Sequence, residues 1–143
     1  MKNLIGAIIL GLSLILITSG CATKLTPLEE REYRALKNAK VLVEEKTPDL
    51  GVALGFLPGG GSFYTRKPAL GVINLLLWPF SIFWEPINGH NGAKSINYHT
   101  TKAFLENERK KALGALDHKL KSGEIARETY FIEKRRIEEK YHY

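Results

Sequence analysis

One cysteine in 143 residues excludes an intramolecular disulfide and leaves the sulfur of Cys21 for another use. No Asp or Glu falls between residues 50 and 84, and no charge of either sign falls in 3–17 or 68–84. No apolar run reaches the roughly 20 residues that a helix needs to cross a bilayer. The four histidines, His90, His99, His118 and His142, are scattered, with no i, i+4 pair and no Glu placed for metalloprotease work. Ser62 follows glycines but lacks the Gly-x-Ser-x-Gly frame of a hydrolase nucleophile. The stretch Gly89 to Ser95 is out of register for a phosphate loop: Ala93 stands before Lys94 where Gly is required, and Asn88 stands at the earlier glycine position. These absences predict a non-enzymatic protein with no catalytic residue, no metal and no cofactor.

What is present is ordinary in amount and unusual in arrangement. Hydrophobic residues make up 44% and charged residues 25%, so the chain is not a disordered one. The net charge of +6 is unevenly spread. Residues 24–49 hold six charges of each sign, residues 50–93 hold only Arg66, Lys67 and Glu85, and residues 94–143 hold twelve basic against eight acidic. A single water-soluble core would mix these classes; segregation of this kind favours a chain that meets a membrane. Helical periodicity outside the apolar stretches gives an all-α fold class.

The N-terminus carries the clearest signal. Lys2 is followed by an apolar run from Leu4 to Ile17, then by the small residues Thr18, Ser19 and Gly20, then by Cys21. That order reads as an export signal over residues 1–20, too short to span comfortably. An uncleaved anchor helix is the competing reading. The pattern resembles the bacterial lipoprotein signal, although Thr18 occupies the place where Leu is usual. The resemblance implies that Cys21 receives a diacylglycerol and that the bilayer, through acylated Cys21, is a partner. Ala22, with no Asp after the cysteine, implies delivery to the outer membrane, facing the periplasm.

Residues 21–49 contain a helix with a defined start. In Thr26-Pro27-Leu28-Glu29 the hydroxyl caps, Pro takes the first helical position and Glu reaches back. Leu28, Ala35, Leu36, Ala39, Leu42 and Val43 form a stripe that predicts a helix over 27–46, ended by Thr47-Pro48. Residues 50–95 form an apolar hairpin and a polar connector. The apolar run from Leu50 to Leu57 is broken at Pro58-Gly59, and Ala69 to Trp84 runs sixteen residues without charge, interrupted by Pro79. Fully helical, that run would reach about 24 Å, short of the roughly 30 Å hydrocarbon core. It is either a shallow hairpin in one leaflet or the buried centre of a compact helical protein. On the first reading Trp78, Phe80 and Trp84 meet lipid, and Arg66 and Lys67 meet headgroup phosphates. Pro86, Asn88-Gly89 and Asn91-Gly92 predict turns over Glu85 to Ser95. Leu57 to Arg66, followed by Ala69-Leu70-Gly71-Val72, resembles the two-transmembrane hairpin domain family, which implies membrane association.

Residues 96–143 predict two charged helices, about 96–121 and 124–141, broken at Ser122-Gly123. Phe104, Leu105, Ala112, Leu113, Leu116 and Leu120 give the first an apolar side. The spacing of Leu116, Leu120, Gly123, Ile125, Tyr130 and Ile137 resembles the short C-terminal helical module called SHOCT. That resemblance implies an interaction role, with a homo-oligomer or an envelope protein as partner. The basic surplus here is interleaved with Glu, which favours ion pairing within a helix over nucleic-acid binding, and no nucleic-acid partner is expected. The expectation is a lipid-anchored envelope scaffold or oligomerisation component. Its alternative is a module that binds anionic lipid or cell wall through the basic helices.

Overall fold

The capping box of the first helix forms as its sequence dictates. In the computed structural model, which describes residues 24–141, helix α1 runs Pro27–Asn38. The Thr26 N–H donates to Glu29 Oε2 at 2.8 Å, and the Glu29 N–H donates to Thr26 Oγ1 at 3.3 Å. The expected signal at 1–20 and Cys21 lie outside the described residues.

Helix α1 ends at Asn38, not near residue 46. Lys40 adopts a left-handed φ of 57°, and the Val41 N–H reaches back to the Leu36 carbonyl at 3.1 Å, the termination pattern usually given to glycine. Residues 41–46 then lack regular structure because side chains take over the backbone groups a helix would use. The Val43 N–H donates to Thr101 Oγ1 at 2.9 Å, while Asn97 accepts from the Lys46 N–H and donates to the Lys46 carbonyl at 2.8 and 2.7 Å. Tyr33 and Leu36 are the buried side of α1; Leu28, Ala35 and Ala39 of the expected stripe are exposed.

Thr47-Pro48 opens helix α2 (Pro48–Gly55) instead of closing α1. Gly59, at φ 68°, turns the chain into α3 (Gly60–Tyr64). A second proline start gives α4 (Pro68–Leu76), and a 3-10 turn over Phe80–Phe83 follows. Helix α5 (Glu85–Lys121) then runs 37 residues without a break, and α6 (Arg127–Lys140) ends the described chain. All regular structure among the described residues is helical.

The expected connector at 85–95 is therefore the first part of α5. Its glycines serve contact, not turning. A Cβ on Gly89 would lie 2.1 Å from the Gly51 carbonyl oxygen, and one on Gly51 would lie 2.4 Å from the Gly89 carbonyl oxygen. Helices α2 and α5 thus touch backbone to backbone, as small-residue contacts allow in membrane helix pairs.

The described chain divides into two compact units. One comprises residues 24–30 and 44–97, and holds α2, α3, α4 and the start of α5. The other comprises residues 31–43 and 98–141, with most of α1, the remainder of α5, and α6. In the second unit Tyr98 and Lys102 both donate to Glu32 Oε2, at 2.7 and 2.9 Å. The break at 122–126 is the expected one: Gly123 has φ 75°, and the Glu124 N–H bonds to the Lys119 carbonyl at 3.0 Å. Ala126 caps α6 without a side-chain bond, so the helix starts at Arg127 and not at Glu124.

Candidate functional site

The unit built from α2, α3, α4 and the start of α5 inverts the usual distribution of polarity. Its interior is mostly polar and small: beside the buried Leu25 and Ala93 stand Ser62, Thr65, Asn74, Ser81, Glu85 and Asn97, packed among Gly51, Gly55, Gly61 and Gly71. Its large apolar side chains face outward. Leu76 and Phe83 are each 78% exposed, Phe80 is 67% and Trp78 is 51%; Phe56, Leu57, Val72, Leu75 and Ile87 are exposed as well.

The centre of the interior is Glu85, fully buried at the first position of α5. One carboxylate oxygen accepts the Ser62 N–H at 2.9 Å. The other accepts the Ser62 hydroxyl at 2.5 Å and the Asn74 amide. Asn74 Oδ1 in turn accepts the Trp84 indole N–H at 3.1 Å. One carboxyl therefore ties α3, α4 and α5 together. Among the described residues no Lys or Arg pairs with it. Burying such a group costs several kcal/mol, roughly offset when several donors converge on it. Ser81 Oγ is buried close by in sequence and has no partner among the described residues.

At the α3–α4 turn, Arg66 sits at φ 61° with its exposed guanidinium paired to Glu45. Lys67 is half-buried, and burial pushes its ammonium below the usual lysine range. Tyr64 is tied down: its hydroxyl accepts the Thr47 N–H at 2.8 Å, and Lys46 Nζ lies 4.6 Å from its ring centre.

Of the residues expected to meet lipid, Trp78 and Phe80 point outward and Trp84 does not do so fully. Trp84 is half-buried, with its indole N–H committed to Asn74. Of the residues expected to pair at the C-terminus, Gly123 turns the chain at φ 75° and is exposed. Leu116 is buried, Leu120, Ile125, Tyr130 and Ile137 are half-buried, and the Tyr130 hydroxyl donates to Asp117 at 2.8 Å. On the middle of α5, Glu106 takes Arg109 at 3.0 Å and Lys110 at 3.6 Å, and Glu108 takes Lys111 at 2.8 Å. The Arg109 hydrogen bond holds Glu106 below the ordinary carboxylate range.

Among the described residues there is no group of three or more His, Cys, Asp or Glu side chains able to hold a metal. No described helix is long and apolar enough to cross a membrane. Sequence reasoning places Glu85 at the break that opens the expected connector, weighs Ser62 only as a hydrolase nucleophile, and assigns nothing to Asn74 or Ser81. A signal is available, because Glu85 is the single acid between Asp49 and Glu106, and Asn74 interrupts an otherwise apolar stretch. No family model, no curated protein and no solved structure matches the chain.

Proposed function

We propose that this protein is a lipid-anchored, non-enzymatic component of the bacterial cell envelope, in which residues 50–84 insert shallowly into one leaflet while the charged helices stay in water and carry assembly. The observation that carries the reading is the inverted unit: an interior mostly of small and hydrogen-bonded polar groups centred on Glu85, with large apolar side chains outside. A soluble protein gains nothing by that arrangement, whereas in hydrocarbon it is the arrangement that satisfies both sides. Fully burying a Leu or Phe side chain is worth about 1.5–3 kcal/mol. Leu76, Trp78, Phe80 and Phe83 together therefore supply a second attachment alongside the acyl group proposed for Cys21, and stable anchoring needs two such signals. The absence of acidic residues from 50–84 agrees with an anionic bilayer surface, and Lys67 stands beside the apolar part, while Arg66 is engaged by Glu45. Binding of anionic lipid or wall polymer by the basic helices is less well supported, since Arg109, Lys110 and Lys111 are engaged by Glu106 and Glu108 of their own helix.

Two measurements test the reading. Metabolic labelling with an alkyne fatty acid should mark the wild type and not Cys21→Ser. A version lacking residues 1–21 should still float with liposomes, with tryptophan emission shifted to the blue. If that version is monodisperse in plain buffer and ignores liposomes, the hairpin is a soluble core and the proposal falls.

A further inference from the structure

Helix α6 has two apolar sides, and packing within the chain consumes only one. Tyr130, Ile137 and Tyr141 are half-buried on the side where Tyr130 bonds to Asp117. At about 100° per residue, Glu128, Phe131, Ile132, Arg135 and Glu139 form a stripe on the opposite side. There Phe131 is 66% exposed and Ile132 is 56% exposed, in a shallow groove of about 310 Å3 that Arg135, Arg136 and Glu139 also line. Two large apolar side chains held out among opposite charges on a short helix mark an interaction surface.

We infer that this stripe docks against the same stripe of a second copy of the chain, with the two α6 helices antiparallel about a two-fold axis between Phe131 and Ile132. The charge pattern selects this occupant. Glu128 and Arg135 are equidistant from that midpoint, so in the antiparallel pair Glu128 of each copy faces Arg135 of the other. The apolar pair is then enclosed by two identical ion pairs, the self-complementarity that a two-fold interface requires. Among the described residues neither Glu128 nor Arg135 makes an ion pair, although Arg136 on the same helix is paired with Glu133 at 2.7 Å. An anionic bilayer would meet Glu128 and Glu139 on this stripe, so it fits worse than a second copy does. The inference concerns a different side of α6 from the one joined to α5, and it does not depend on where the apolar hairpin resides.

The test uses the full chain carrying Cys21→Ser in detergent micelles, which cover the apolar unit and prevent association through it. Sedimentation should show a dimer. Glu128→Arg and Arg135→Glu should each weaken self-association by about tenfold or more, and the double exchange should restore it. Helical circular dichroism serves as the check on folding. On the same cysteine-free background, Ile132→Cys should crosslink to its symmetry mate on oxidation, and Lys134→Cys should not. A monomer at high concentration, or single exchanges without effect, would overturn the inference. So would a double exchange that does not restore the dimer, or crosslinking equal at both positions.

Discussion

A carboxylate with three donors and no cation is the residue on which the inverted unit turns. Glu85→Ala leaves the Ser62 N–H, the Ser62 hydroxyl and the Asn74 amide facing a void, and should cost about 3 kcal/mol or more, read by chemical unfolding in micelles. Glu85→Gln keeps one acceptor oxygen and should cost less. Ser81 supplies the opposite case: its buried hydroxyl has no partner among the described residues, so Ser81→Ala should be neutral or stabilising by about 1 kcal/mol. A measured loss at Ser81 would mean that its hydroxyl has a partner the described residues do not include. Tyr130 carries a pH dependence. Its hydrogen bond to Asp117 raises its pKa above the ordinary tyrosine value. The phenol is therefore protonated in the folded state where the unfolded chain would already ionise. The stability it contributes is complete below the ordinary value and disappears as pH climbs through the raised one. Tyr130→Phe should thus be less stable than wild type at neutral pH and equal to it in strong alkali, as thermal unfolding across pH would record.

At the scale of elements, glycine separates contact from mere flexibility. Gly89→Ala forces a methyl group into the Gly51 backbone and should destabilise by more than about 2 kcal/mol, or push α2 away from α5. Gly114, also within α5, has nothing within 4 Å of where an added methyl group would stand, so Gly114→Ala should stabilise by about 0.5–1 kcal/mol through helix propensity. Thermal unfolding of the two single variants gives the signs directly. The same helix explains what can be read in the sequence and what cannot. The cap at Thr26, the stop at Gly123 and the helical class follow from local chemistry that neighbours do not override. Asn88-Gly89 and Asn91-Gly92 carry the local chemistry of turns, and only the arrival of Gly51 and Thr65 makes them helical contact points. The stretch after Asn38 reads as helix because Leu42 and Val43 keep the period; Asn97 and Thr101, more than fifty residues away, capture its backbone instead. Glu85 is only partly legible: its isolation between Asp49 and Glu106 marks it, but nothing local distinguishes an acid at a helix start from an acid at the centre of a polar interior.

For the whole molecule, membrane affinity and folding should separate cleanly. Replacing Leu76, Phe80 and Phe83 by Ser alters side chains that are already exposed, so stability should change little, within about 0.5 kcal/mol for each. Partition into liposomes of a version lacking residues 1–21 should fall by about 100-fold or more, because the apolar area entering lipid is removed. Unchanged partition would place the lipid contact elsewhere. The inverted unit has a calorimetric consequence too. Heat capacity rises on unfolding because apolar surface is newly wetted, and it falls as polar surface is wetted. In that unit the large apolar side chains are wet before unfolding starts, and the groups released are a carboxylate, an amide and hydroxyls. The protein in water should therefore show an unfolding heat capacity below the usual roughly 12–15 cal/mol/K per residue. Its stability curve should be correspondingly flat, changing little between refrigeration and body temperature.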